Sequence, residues 1–358
     1  VTSLSDLPLR DSLRGREPYG APQLEVPIAL NVNENTHELP EEVIKDIVKR
    51  VGAAAHNINR YPDREFESLR VALCKYLGGG LQPHQMWAAN GSNEVIQQIF
   101  QAFGGPGRLA LGFGPTYSMY SLIALGADTG YLDAPRGDRY ELSPELVRDA
   151  IEKHKPNIVM LCSPNNPTGT PLSLACIEAA YEATDGMVVV DEAYAEFANE
   201  SETAVSLLPG RPRLMVSRTM SKAFAFAGAR VGYLAADPAV VDALRLVRLP
   251  YHLSAFTQAA AEAALDHAEV LLATVADIRA QRDRLVSELR TLGFDPYRSD
   301  SNFVLFGGVQ DSERTFAELL ARGVLVRNVG IPNTLRVTAG TEAETTAFLE
   351  TLAELQAN

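Results

Sequence analysis

Between residues 85 and 235 the chain alternates short runs of β-branched and other apolar residues with amphipathic stretches, the pattern of strands joined by helical crossovers. Candidate strands are Met86 to Ala89, Arg108 to Gly112, Asp128 to Leu132, Asn157 to Cys162, Met187 to Asp191, Arg213 to Ser217 and Val231 to Ala235. Helical spacing of apolar residues covers Glu94 to Phe103, Thr116 to Leu125, Pro144 to His154 and Leu174 to Thr184, often behind Pro, Ser or Asn start signals. Such alternation predicts a mostly parallel sheet with helices packed on it. Beyond residue 238 the texture changes to long helices, the clearest running from Val270 to Leu292 with an expected charged face of Arg279, Arg282, Asp283, Arg284 and Glu288. A smaller α/β unit follows, with strands at Asn302 to Phe306, Leu325 to Arg327 and Leu335 to Thr338, and helices near Glu313 to Arg322 and from Glu342 onward. The first thirty residues are rich in Pro and Gly without periodicity and read as an arm. The expected division is an arm at 1–30, a large domain at 31–265 and a small domain at 266–358.

A chain of 358 residues, 46% hydrophobic, can bury one large core and a smaller one. Its formal charge of −13 disfavours nucleic acid and anionic membranes as partners, so any phosphate or carboxylate it binds must meet a local cluster of arginine, lysine and backbone N–H groups. Cys74, Cys162 and Cys176 lie far apart inside apolar patterns and suit a reducing, cytoplasmic setting. The sequence predicts no cleavable leader and no bilayer span. No histidine pair has metal-ligand spacing, so no metal is expected.

Three segments carry candidate chemistry. Val188-Val189-Val190 runs straight into Asp191-Glu192-Ala193-Tyr194, which puts a carboxylate at the carboxyl end of a buried strand, where open α/β sheets bind ligands. For an isolated aspartate there, a helix cap or a salt-bridge partner would be the stronger reading. Ser217 to Phe224 follows another apolar run and holds Lys222 among hydroxyls, with Arg230 beyond. That suits a phosphate-bearing aldehyde held as a Schiff base, although Ser-Lys-Ala alone could be a solvated turn. Pro164-Asn165-Asn166-Pro167-Thr168-Gly169 consists of turn residues and reads on its own as a rigid loop.

Taken in this order and at these separations, P-N-N-P-T-G, D-E-A-Y and S-K-A-F-x-x-A-G-x-R resemble the motifs of the fold-type I aminotransferases. More narrowly, the chain resembles the histidinol-phosphate aminotransferases of the actinobacterial kind, through Glu17 to Pro22, Asn59 to Pro62, Trp87 to Glu94, Arg248 to Ser254 and Leu335 to Thr341. The resemblance implies a three-layer α/β/α large domain around a mostly parallel seven-stranded sheet, with a smaller α/β C-terminal domain. It also implies pyridoxal 5′-phosphate as cofactor and transfer of an amino group from L-histidinol phosphate to 2-oxoglutarate in histidine biosynthesis. An aromatic or specialised-metabolism amino-acid aminotransferase on the same scaffold is the alternative.

Residue by residue, the resemblance makes Lys222 the Schiff-base lysine and proton shuttle, Asp191 the partner of the pyridinium nitrogen, Asn166 and Tyr194 donors to the phenolic oxygen, and Tyr117 the residue stacked on the ring. Gly91-Ser92-Asn93 precedes a helical run, where unpaired N–H groups and the helix dipole favour an anion. Ser92 and Asn93, with Thr219, Ser221 and Arg230, would cradle the cofactor phosphate. Tyr61 matches a position that reaches the neighbouring subunit's phosphate, which implies a homodimer with shared sites. Arg336 and Arg327 match anion-binding arginines for the substrate, an exposed salt bridge being the competing reading for Arg327, and Tyr19 and Asn33 match the lid. Relatives usually follow Asn33-Glu34-Asn35 with a proline, whereas this chain reads Thr36-His37-Glu38-Leu39-Pro40; His37 is either a new substrate contact or a solvated side chain.

Overall fold

The computed structural model describes residues 2–18, 20–199 and 202–357. A short strand β1 (Ile28–Ala29) is followed by helices α1 (Glu41–Ala55) and α2 (Glu67–Leu77). The strand-and-crossover region then runs β2 (Met86–Asn90), α3 (Ser92–Phe103), β3 (Leu109–Gly114), α4 (Met119–Gly126), β4 (Gly130–Pro135), α5 (Pro144–His154), β5 (Ile158–Cys162), α6 (Leu174–Ala183), β6 (Met187–Asp191), β7 (Leu214–Thr219) and β8 (Val231–Ala236). Helices α7 (Pro238–Val247), α8 (Ala255–Asp266), α9 (Ala268–Leu272) and α10 (Thr274–Thr291) lead to β9 (Asp295–Pro296), β10 (Phe303–Gly307), α11 (Ser312–Ala321), β11 (Val324–Leu325), β12 (Leu335–Thr338) and α12 (Glu342–Ala357).

All seven strands read from the sequence join one sheet, in the order β2-β8-β7-β6-β5-β3-β4. Only β8 runs against its neighbours; the remaining pairings are parallel. Strands β5, β7 and β8 are buried along their whole length, as a sheet covered on both faces requires. Helix starts follow the expected cap chemistry. The Ser143 hydroxyl accepts from the Leu146 amide ahead of α5, and the Ser173 hydroxyl from Cys176 ahead of α6. The chain moves outward from β3 to β4 and then returns to the other side of β3 with β5, so the order reverses at that point and opens a crevice at the carboxyl ends of the strands.

The structure departs from the sequence reading in four places. Helix α4 begins at Met119 rather than Thr116, because residues 116–118 line the crevice and the Thr116 hydroxyl bonds to Asn165 Oδ1. The long helix is broken into α9 and α10, where the Thr274 hydroxyl donates to the Leu271 carbonyl three residues back and competes with the regular ladder. Arg282 is not on the charged outer face. It lies fully buried in the core stripe Val275, Ile278, Arg282, Leu285 and Leu289 of α10, donating to the carbonyls of Phe197 and Ser301 and to Asn199 Oδ1. Helices α1 and α2 were not legible beforehand; α1 packs on α8 through the face that carries Val43 and Ile47.

The C-terminal unit is a three-stranded antiparallel sheet, β12-β10-β9, packed against α10. The end of the N-terminal arm is bonded to it. Strand β1 pairs with β11 in parallel, the Leu30 carbonyl accepts from the Thr338 amide, and Asn33 exchanges bonds with Thr338.

Candidate active site

The crevice is a cavity of about 950 Å³ lined by the ends of β5, β6 and β7, the start of α3, the turn before α4, residues 31–34, and Arg327, Val329 and Arg336. It brings together thirteen of the fifteen residues singled out in the sequence: Asn33, Ser92, Asn93, Tyr117, Asn166, Asp191, Tyr194, Thr219, Ser221, Lys222, Arg230, Arg327 and Arg336. Tyr19 lies outside the described residues. Tyr61 is turned away from the cavity, 80% exposed and stacked on Tyr251 at 4.4 Å between ring centroids. Thr36, His37 and Glu38 do not line the cavity. Asn35 holds that turn outside it, donating to the Ala223 carbonyl and Thr274 Oγ1.

Asp191 sits at the end of β6, buried, and Oδ2 accepts from the Tyr120 hydroxyl at 2.7 Å. Oδ1 is buried with no donor at bonding geometry among the described residues. Burial pushes this carboxyl up to about 6; the Tyr120 hydroxyl and the nearby Ala193 amide pull it down, and Glu192 raises it. A buried carboxylate beside the cavity, with one oxygen served and the other without a donor, calls for a ligand N–H.

Lys222 closes the opposite wall, its side chain partly exposed to the cavity and Nζ donating to the Val32 carbonyl at 3.0 Å. Its pKa is lowered to about 8, first by burial and then by the guanidiniums of Arg336 and Arg230, with Glu34 opposing them. Between Asp191 and Lys222 a polar chain crosses the floor. The Tyr194 hydroxyl accepts from Asn33 Nδ2 at 3.0 Å and from Asn166 Nδ2 at 3.2 Å, and Asn166 Oδ1 accepts from Arg336, which also donates to the Asn31 carbonyl at 2.8 Å. Burial raises the Tyr194 hydroxyl well above its ordinary range, so it stays protonated.

The third wall is an anion cradle. Ser92 and Asn93 form the first turn of α3, where backbone N–H groups have no intrahelical acceptor. Thr219 Oγ1 lies 3.0 Å from Ser221 Oγ, and Arg230 reaches the same hydroxyl at 3.4 Å. The cradle depends on two glycines. Gly91 takes φ +84°, with the Arg230 guanidinium pressed against it. A Cβ on Gly232, in β8, would stand 2.2 Å from the backbone of Gly91 and Ser92. Gly232 was missed in the sequence, although a glycine inside a buried strand signals close backbone approach. Gly232→Ala is expected to displace that turn, costing about 1–3 kcal/mol of stability and weakening phosphate binding to the cofactor-free protein. A urea titration and an inorganic-phosphate competition check it, and unchanged values in both would refute the role.

Arg327, just beyond β11, and Arg336, in β12, form an isolated antiparallel bridge, each amide bonding the other's carbonyl at 2.9 Å, and both line the cavity. Like charges placed opposite one another repel, and an anion between them would offset the cost. Arg327 forms no ion pair among the described residues, against the salt-bridge reading.

A model of the aminotransferase class I and II family matches residues 25–352. The histidinol-phosphate aminotransferase of Paenarthrobacter aurescens is 62% identical over 356 residues, covering 98% of this chain and 96% of that protein. That of Thermobifida fusca is 55% identical over 351 residues, covering 98% and 96%. Among solved structures, the histidinol-phosphate aminotransferase from Sinorhizobium meliloti in complex with pyridoxal-5′-phosphate shares the fold at a TM-score of 0.83 and 24% identity, over 92% of this chain and 91% of that one. The three-layer fold is thus that of the fold-type I enzymes, and the chain belongs to the class I and II aminotransferases and, within them, to the histidinol-phosphate aminotransferase family.

Proposed function

We propose that this chain is a pyridoxal-phosphate-dependent transaminase that moves the amino group of L-histidinol phosphate to 2-oxoglutarate, as the names of its relatives suggest. The observation that carries the substrate class is the facing pair Arg327 and Arg336 lining the cavity, a fork able to hold the phosphate of one substrate and a carboxylate of the other in turn.

The residues present fit the cofactor. The unserved Oδ1 of Asp191 suits a protonated ring nitrogen, and the cradle of Ser92, Asn93, Thr219, Ser221 and Arg230 suits its phosphate. Tyr117 lies beside the cavity for ring stacking, with its hydroxyl 3.2 Å from Asn93 Oδ1, and Tyr194 and Asn166 face the position of a phenolic oxygen. When bound, the cofactor supplies a sink for the electron pair left after loss of the substrate Cα proton. Lys222 holds it covalently through its amine. Once that amine is released, a pKa near 8 leaves a usable neutral fraction at pH 7, so Nζ can take the proton from substrate Cα. Asp191, kept ionised above about 6, holds the ring nitrogen protonated.

In this reading residues 31–265 bind the cofactor, residues 266–358 form the smaller unit, and the arm at 1–30 closes with it. The exposed side chains of Tyr61, Val48, Leu246 and Leu249 support a homodimer in which Tyr61 reaches the partner's cradle. Among the described residues no helix is long and apolar enough to cross a membrane, and free thiols at all three cysteines suit a cytoplasmic enzyme.

The test is a half-reaction. The cofactor-loaded protein is mixed separately with L-histidinol phosphate, glutamate and phenylalanine, and the visible absorbance of the lysine-bound cofactor is followed. Rapid loss with the first two and slow loss with phenylalanine is expected. If phenylalanine discharges the colour and histidinol phosphate does not, the substrate assignment is wrong.

A further inference from the structure

Tyr120 has no part in the motifs that identify this family, yet it is among the largest fully buried side chains of the chain, and its hydroxyl ends on the acid at the floor of the cavity. It sits in the first turn of α4, three residues after Tyr117, and its amide bonds the Tyr117 carbonyl at 3.1 Å. The two rings meet edge to face, with centroids 5.4 Å apart at 86°. One side chain therefore touches both the acid expected to face the ring nitrogen and the aromatic expected to lie on the ring.

We propose that Tyr120 is a positioning residue that keeps Asp191 ionised and aimed into the cavity through its 2.7 Å hydrogen bond, and that holds Tyr117 in register with that acid. The inference rests on the cofactor assignment above and adds a residue to it.

The groups around Asp191 leave Tyr120 as its one side-chain donor among the described residues. From β5 comes Cys162, whose thiol burial pushes up to about 12, so it is uncharged at working pH. From β6 itself come Glu192, whose charge opposes ionisation of Asp191, and the Ala193 amide. From α4 comes Tyr120, whose own hydroxyl burial raises far above its ordinary range, so it remains a neutral donor. Arg136, buried behind this group, lies near Cys162 and Tyr120 and donates to the carbonyls of Phe113 and Tyr140. Burial disfavours the Asp191 carboxylate, and the hydrogen bond offsets that only for the charged form, so the two oppose each other at one oxygen. Without the bond, a larger fraction of Asp191 is protonated at neutral pH and unable to accept from a protonated ring nitrogen.

Tyr120→Phe keeps the ring, its burial and its contact with Tyr117, and removes only the hydroxyl. Two measurements on the full chain test the proposal. Carboxyl carbon NMR of aspartate-labelled, cofactor-free protein, assigned with Asp191→Asn, should show the Asp191 midpoint about one pH unit higher in Tyr120→Phe than in the parent. The dissociation constant for pyridoxal 5′-phosphate should rise about twofold at pH 7 and approach about tenfold below pH 6, with the gap closing as the pH is raised beyond both midpoints. Equal carboxyl midpoints in parent and variant, or a loss of affinity that is the same at every pH, would overturn the proposal. A shifted midpoint in a parent that binds no pyridoxal phosphate would leave the Tyr120 bond in place and refute the cofactor assignment instead.

Discussion

Lys222→Met is expected to lower turnover by at least about 10⁴-fold and, in the cofactor-free protein at pH 7, to make the fold more stable. The loss of activity follows from removing both the covalent anchor and the group that moves the Cα proton. The gain in stability follows from the cost of the lysine itself. Its pKa falls from 10.5 to about 8 on folding, first through burial and then through Arg336 and Arg230. A group whose folded pKa is depressed in this way costs the fold most where it is protonated, below about 8, and costs nothing above 10.5. The ceiling is about 3 kcal/mol. Exposure to the cavity and loss of the bond to the Val32 carbonyl reduce the net gain to the order of 1–2 kcal/mol. Urea unfolding of both cofactor-free proteins from pH 7 to 10.5 checks it. The difference should shrink as the pH rises; a variant less stable than the parent at pH 7 would refute the account.

Arg282→Met is expected to have the largest effect on stability away from the cavity. The guanidinium bridges the turn after β6, through the Phe197 carbonyl and Asn199 Oδ1, to the Ser301 carbonyl at the start of the C-terminal sheet, and its charge is met by Asp283. Methionine fills part of the volume and leaves the Phe197 and Ser301 carbonyls unserved, while Asn199 Oδ1 keeps its bond from Arg279, a loss of about 2–5 kcal/mol. The urea midpoint should fall sharply while the folded fraction keeps its cofactor affinity, since Arg282 does not line the cavity. A change under about 1 kcal/mol would show that water or neighbouring donors replace the guanidinium.

The site was legible in the sequence to the extent that its residues lie in contiguous motifs at strand ends. Asp191 after three buried valines and Lys222 after Arg218-Thr219-Met220-Ser221 have positions that the strand period and the crossover order nearly dictate. Arg282 shows the opposite case. Reading it by residue type placed it in water, whereas its spacing from Ile278 and Leu285 placed it in the core stripe, and the second rule won because two buried carbonyls and the Asn199 amide oxygen awaited it. Helices α1 and α2 lie outside the strand-and-crossover alternation, and their apolar faces acquire meaning only against α8. The altered turn at Thr36-His37-Glu38 left a new substrate contact and a solvated loop both open; Asn35 pins it outside the cavity, which no local rule could show.

By itself the sequence determined the layered architecture, the seven strands and most of the residues that line the cavity, because periodicity and motif spacing are local and survive without knowledge of the rest of the chain. Only the tertiary structure decided that Asn33 and Arg336, some three hundred positions apart, close on Tyr194 and Asn166, that Arg327 stands opposite Arg336, and that Tyr120 lies beneath Asp191. These are contacts between side chains of different elements, and they follow from which faces the packed core brings together, a choice made by burial and by the pairing of buried polar groups over the whole molecule.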